Sequence, residues 1–245
     1  MRNQAVFTSI DLNKYHYLDT IHKMVISHRG RKTGERENSI AAFEKAFAMG
    51  AQGIECDARL LPNGEVIISH DKIYKFDEQD LTLSQFLVYV KKKKKPFFVE
   101  LKSNSPILVK KVAEAIGEEN LWDLVHIIGF SVMIKSALSA QKNYPKLKVM
   151  PFLNFPLLSF VKPPKKSYGV FLGWIDEWKW SQPVFQKMIS RERLKRLKKL
   201  FEKHGFKVMA GVINNEKGLR YFKEAGITDI VTDEIELAKK ILAEK

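Results

Sequence analysis
The chain has 245 residues, 45% of them apolar and with no run long enough to span a bilayer, which points to a buried core of the size of one large α/β domain and excludes a transmembrane helix. A formal charge of +14 favours anionic partners, but no zinc-finger or helix-turn-helix spacing occurs, and the basic runs do not interleave with aromatics, so nucleic acid is not expected among them. One cysteine, Cys56, excludes an internal disulfide and suits a reducing compartment, so a cytoplasmic location is expected.

Residues 1–23 scatter charged and polar side chains without the apolar centre of a secretion signal, and read as an N-terminal appendage to a single domain spanning 1–245. From Met24 onward, short runs rich in Val, Ile and Phe alternate with amphipathic stretches. The strand candidates are MVIS (24–27), GIECDARL (53–60), FFVELK (97–102), VHIIGFS (125–131), LKVMPFL (147–153), GVFLGW (169–174), FKVMAGVI (206–213) and DIVTD (229–233). Between them lie the helical patterns SIAAFEKAFAMG, LSQFLVYVKK, SPILVKKVAEAIG, SVMIKSALSAQKN, RLKRLKKLFEKHG and EKGLRYFKEAG, several closed by a glycine suited to a C-cap. Repeated strand-helix units imply a parallel sheet, and eight of them close into a (β/α)8 TIM barrel.

EVIISHD (65–71) is a ninth strand candidate, separated from the second by only four residues, too few for a parallel crossover. It must return as a short β-hairpin excursion above the second strand. A two-residue Asn63-Gly64 turn would set Asp57 opposite His70; a type I turn with a glycine bulge would set Ser69 there instead.

Glu55 and Asp57, two apart on a strand, share a face, and Cys56 faces away from them. Glu100 is a third acid inside an apolar strand, with Lys102 on the same face. Carboxylates converging on a low-dielectric barrel mouth repel one another unless neutralised, so a hard divalent cation, Mg2+ or Ca2+, is the expected cofactor. His28 and His70 beside such an ion, with Arg29 and Lys102 to hold a phosphate, form an acid/base pair. Of the Glu37-Asn38-Ser39 group, Asn38 or Ser39 suits a helix N-cap, and Glu37 and Asn38 are candidates for supporting positions around the site.

The ordered set His28-Arg29-Gly30, Glu37-Asn38-Ser39, Gly50-Ala51-x-Gly53-Ile54-Glu55-x-Asp57, Asn63-Gly64, His70-Asp71, Glu100-Leu101-Lys102 and Val231-Thr232-Asp233 resembles the glycerophosphodiester phosphodiesterase family, from Val25 across essentially the whole chain. The resemblance implies a TIM barrel that hydrolyses glycerophosphodiesters to glycerol 3-phosphate and an alcohol. It also implies a divalent metal on Glu55, Asp57 and Glu100, His28 and His70 as general acid and base, and Arg29 and Lys102 as phosphate contacts. Three departures bear on substrate choice. The insertion after His70-Asp71 is short, Gly211-Val212-Ile213-Asn214 lacks the usual aromatic wall, and Arg36 replaces a proline.

The stretch MPFLNFPLLSFVKPPKK (150–166) and Trp174, Trp178 and Trp180 suit a lipid tail or peripheral membrane contact, which makes a lysophospholipid the alternative substrate. The reading from another class is a non-catalytic barrel that binds a phosphate or a lipid.

Overall fold
The computed structural model describes residues 23–74, 76–154 and 166–244. Its elements run β1 (Val25–His28), α1 (Ile40–Ala48), β2 (Gly53–Leu60), β3 (Val66–Ile68), β4 (Leu81–Thr82), α2 (Leu83–Lys93), β5 (Phe97–Leu101), α3 (Pro106–Glu118), β6 (Val125–Phe130), α4 (Lys135–Ala140), β7 (Lys148–Asn154), β8 (Gly169–Gly173), α5 (Ser181–Met188), α6 (Arg191–Lys203), β9 (Lys207–Ala210), α7 (Glu216–Glu224), β10 (Ile230–Thr232) and α8 (Ile235–Ala243). β1, β2, β5, β6, β7, β8, β9 and β10 are parallel neighbours in that order, and β10 returns to β1. This closes the eight-stranded TIM barrel.

Two apolar layers hold it together. Outside the strands, the helices pack a continuous shell in which Phe97 meets Phe43, Phe47, Phe86 and Tyr89 edge to face; Cys56 is buried in this shell, turned away from its acidic neighbours. Inside the barrel, Ile26, Phe98, Ile128, Met150, Phe171, Met209 and Val231 form a separate plug. Because side chains alternate along a strand, the residue two further on from each plug residue also points inward, one layer nearer the C-terminal mouth. Those positions are His28, Glu100, Phe130, Phe152, Gly173, Gly211 and Asp233, so strand period alone delivers the upper layer of the barrel to one place.

The excursion after β2 is an antiparallel hairpin whose pairs are Ala58 with Ile68, Arg59 with Ile67 and Leu60 with Val66. Leu61 N–H donates to the Glu65 carbonyl, Gly64 N–H donates to the Leu61 carbonyl, and Gly64 sits at φ +85°. This is the type I turn with a glycine bulge, and it carries Ser69, whose N–H donates to the Asp57 carbonyl, into the position opposite Asp57.

Other local expectations change. Ser39, not Asn38, caps α1, accepting from Ala42 N–H. The helix expected over 131–143 contracts to α4, whose N-cap Ile134 offers no side-chain acceptor. α5 and α8 were not anticipated; Pro183 and a weak apolar stripe hide the first. Residues 1–22 and 155–165, and with them most of the appendage and of the apolar 150–166 stretch, lie outside the described residues.

Phe97→Ala, which empties the centre of a five-ring cluster, is expected to cost about 3–5 kcal/mol in urea unfolding, with native circular dichroism retained at low urea.

Candidate active site
The strand register assembles the acids. His28 is the β-partner of Glu55, and Asp57 is the β-partner of Glu100. Oxygens of Glu55, Asp57 and Glu100 all lie within 4.8 Å of one another, and all three residues are buried.

Asp57 is the most enclosed, with no exposed surface. Lys102 Nζ lies 3.2 Å from its Oδ1, and Arg29 Nε lies 2.9 Å from its Oδ2. Asn38 closes the shell. Its Nδ2 donates to Asp57 Oδ2 at 3.0 Å and its Oδ1 accepts from the Asp57 backbone N–H at 3.2 Å. Burial works against the Asp57 charge, but Lys102, Arg29 and the Asn38 hydrogen bond outweigh it and hold the carboxyl below its ordinary range. Lys102 reaches Glu100 as well, at 3.2 Å, yet burial still leaves the Glu100 pKa raised.

Glu55 is compensated far less, by the more distant charges of Arg29 and Lys102. Its Oε2 accepts no hydrogen bond among the described residues, and the nearest cationic candidate is His28 Nε2 at 3.8 Å. Burial first, then the facing Asp57 and Glu100, push its pKa well above the usual glutamate value. Three clustered carboxylates without Cys or His, two of them with a buried oxygen that accepts no hydrogen bond, fit a hard divalent cation. The donor set therefore agrees with the cofactor expected from the sequence.

The β1–α1 loop folds tightly to bring Arg29 and Asn38 over this floor. Both adopt left-handed backbone, at φ +58° each, and the Asn38 N–H donates to the Arg29 carbonyl at 2.9 Å. Asparagine tolerates that conformation better than most residues. Glu37 stays 35% exposed and faces the arginines rather than the acids, 3.7 Å from Arg29 and 3.3 Å from Arg31.

Each histidine has a carboxylate at Nδ1. His28 is buried and its Nδ1 lies 2.8 Å from Asp233 Oδ1, while the more open His70 places Nδ1 3.0 Å from Asp71 Oδ1. Arg59 Nε fixes the loop by donating to the His70 carbonyl at 2.8 Å. The sequence reading assigned no part to Asp233 or Asn214. Asn214 Nδ2 donates to Asp233 Oδ2 at 2.8 Å and to Asp176 Oδ2 at 2.9 Å, and its Oδ1 accepts the Asp233 N–H. The legible signal for Asp233 was its inward position two residues beyond Val231; nothing local marks Asn214. Burial opposes the Asp233 charge, but His28, Arg31 and Asn214 prevail and lower its pKa.

His28, Arg29, Glu55, His70, Glu100 and Lys102 line one cavity of about 500 Å³, with Asp57 just beneath. Its far wall is aromatic. Phe130, Phe152 and Phe171 meet edge to face with centroids 5.2 and 5.4 Å apart, and Trp174 completes the side. An aromatic wall is therefore present after all, supplied by β6, β7, β8 and the residue after β8 instead of by the segment following β9. Trp174, expected at a lipid tail or a membrane interface, is 5% exposed, lines the cavity and packs on Phe185 and Phe222.

Residues 28–155 match the glycerophosphoryl diester phosphodiesterase family. A glycerophosphodiester phosphodiesterase of Caldanaerobacter subterraneus is 45% identical over 49 residues, a stretch that spans 20% of this chain and 20% of that protein. The Bacillus subtilis protein YhdW is 25% identical over 244 residues, covering 85% of this chain and 93% of its own. Among solved structures, an Oleispira antarctica phosphodiesterase in complex with the product sn-glycerol-3-phosphate superposes with a TM-score of 0.69 at 19% identity, over 90% of this chain and 97% of that one.

The poorly compensated Glu55 charge has a thermodynamic signature. Its folded pKa lies above the unfolded value, so metal-free stability falls as pH rises from the ordinary glutamate range toward the raised one. In EDTA at neutral pH, Glu55→Gln is expected to raise the melting temperature, by about 1 kcal/mol or more in stability. Added Mg2+ or Ca2+ is expected to raise the melting temperature of the unaltered protein and to leave that of the variant unchanged.

Proposed function
The chain belongs to the glycerophosphoryl diester phosphodiesterase family, and on that premise we propose that it is a phosphoric diester hydrolase releasing glycerol 3-phosphate and an alcohol from glycerophosphodiesters. The observation that carries this reading is the single cavity in which two imidazoles, two cations and a compact carboxylate cluster face one another. A binding protein would need the cations, but not a proton donor and a proton acceptor lining the same cavity.

In the proposed reaction Arg29 and Lys102 hold the phosphate oxygens, both already anchored by Asp57 so that little ordering remains on binding. Glu55, Asp57 and Glu100 would hold a divalent cation, Mg2+ or Ca2+, which when bound offsets charge on the phosphoryl oxygens. One imidazole takes the proton of the attacking hydroxyl as its oxygen bonds to phosphorus. The other gives its proton to the departing alcohol oxygen as that ester bond breaks. The attacking hydroxyl belongs to water or to the adjacent glycerol carbon; the second case gives a cyclic phosphate that water then opens. The Asp233 contact at His28 Nδ1 and the Asp71 contact at His70 Nδ1 leave each Nε2 free for this exchange.

The aromatic wall favours a second substrate of the same reaction class. Phe130, Phe152, Phe171 and Trp174 offer an apolar surface beside the phosphate-binding groups, suited to the acyl chain of a lysophospholipid.

His28→Ala and His70→Ala are each expected to lower glycerol 3-phosphate release about 100-fold or more, with the melting temperature largely kept. Asp233→Asn should lower kcat with little change in KM, because it weakens the hold on His28 Nδ1 without touching substrate. EDTA should stop turnover of glycerophosphocholine and lysophosphatidylcholine alike, and Mg2+ or Ca2+ should restore it; the ratio of the two restored rates decides between the substrates.

A further inference from the structure
The flank of the barrel beside the cavity carries a surface that the reaction does not use. Between Trp178 and His204 the chain has nine Lys and Arg against two Glu, a surplus that makes up half of the formal charge of +14. On α6, Lys195, Lys199 and Lys203 follow one another at four-residue intervals and Arg196 lies beside them; all four are exposed. None of the four forms an ion pair among the described residues, whereas Lys198, in the same helix, pairs with Glu202. The opposite face of α6 is accounted for by Leu194 and Phe201, which are buried in the core.

The same flank exposes large apolar groups. Trp178 and Trp180 are 50% and 54% exposed and stack on each other with centroids 5.4 Å apart, and Met188 of α5 and Leu200 of α6 are also exposed. The tryptophan pair directly follows Trp174, Ile175, Asp176 and Glu177, which line the cavity, so the basic and aromatic strip begins at the mouth. A basic helix face with an exposed Trp pair on the preceding segment and exposed aliphatic side chains matches a bilayer interface. There the cations meet anionic headgroups while the indoles and aliphatic groups enter the region just beneath. Nucleic acid would use the lysines and could stack on the indoles, but would leave Met188 and Leu200 without a partner.

We propose that the α5–α6 flank docks this protein on anionic phospholipid bilayers, with the Trp178–Trp180 pair at the edge of the cavity mouth. The surface stands independently of the hydrolase reading, since binding is measured without turnover. The test is co-sedimentation of the full chain with phosphatidylcholine vesicles, with and without phosphatidylglycerol. Expected is binding to the anionic vesicles alone, weakening as salt rises. Lys195→Gln with Lys199→Gln should lower that affinity about tenfold or more, and Trp178→Ser with Trp180→Ser should lower it as well. Hydrolysis of a water-soluble glycerophosphodiester by the lysine variant should match the unaltered chain. Equal binding to neutral vesicles, unchanged affinity in both variants, or tighter binding to a DNA oligonucleotide than to anionic vesicles would each overturn the proposal.

Discussion
Three carboxylates within 4.8 Å of one another, set on top of an apolar plug, are the constraint to which the mouth of this barrel answers. Like charges at that range in a desolvated setting cannot all persist without compensation. Asp57 receives it from two cations and an asparagine, Glu100 chiefly from one lysine, and Glu55 only from the more distant Arg29 and Lys102, which burial and its acidic neighbours outweigh. The imbalance is what makes a divalent ion the economical partner for the site. It also explains why the β1–α1 loop adopts unfavourable backbone at Arg29 and Asn38: that conformation is what brings a guanidinium and an amide onto Asp57.

The barrel separates stability from chemistry by depth. The helix-facing shell and the interior plug are apolar and carry the folding energy, while the layer two residues higher carries acids, the His28 imidazole and aromatic rings. Closure of the sheet forces these side chains together regardless of their distance in sequence. His28 and Asp233, 205 residues apart, touch because β10 returns to β1. The Asn214 amide then ties Asp233 to Asp176, so one polar chain links the first and last strands to the loop after β8.

Much of this was legible from spacing. The eight strands, the hairpin after β2, and the convergence of Glu55, Asp57 and Glu100 follow from period-two alternation and from the rule that parallel strands need long crossovers. What sequence could not decide was local. Whether Asp57 faces His70 or Ser69 turns on the backbone of Asn63, since Gly64 is left-handed in both turns and only the two-residue turn would need Asn63 at positive φ, which it does not adopt. Asn38 and Ser39 are equally good caps on paper, and only the loop geometry sends one to the helix and the other to Asp57. The aromatic wall escaped notice because Phe130, Phe152 and Phe171 read as ordinary strand hydrophobes until closure sets them edge to face.

Shared occupancy of the acidic cluster by one ion is the statement on which the chemistry rests, and anomalous diffraction from crystals soaked in Mn2+ reads it directly. One strong peak bridging Glu55, Asp57 and Glu100 beneath the two imidazoles is the expected result. A peak at any other set of side chains, or none when the cavity is open to solvent and the manganese concentration saturating, would contradict the account.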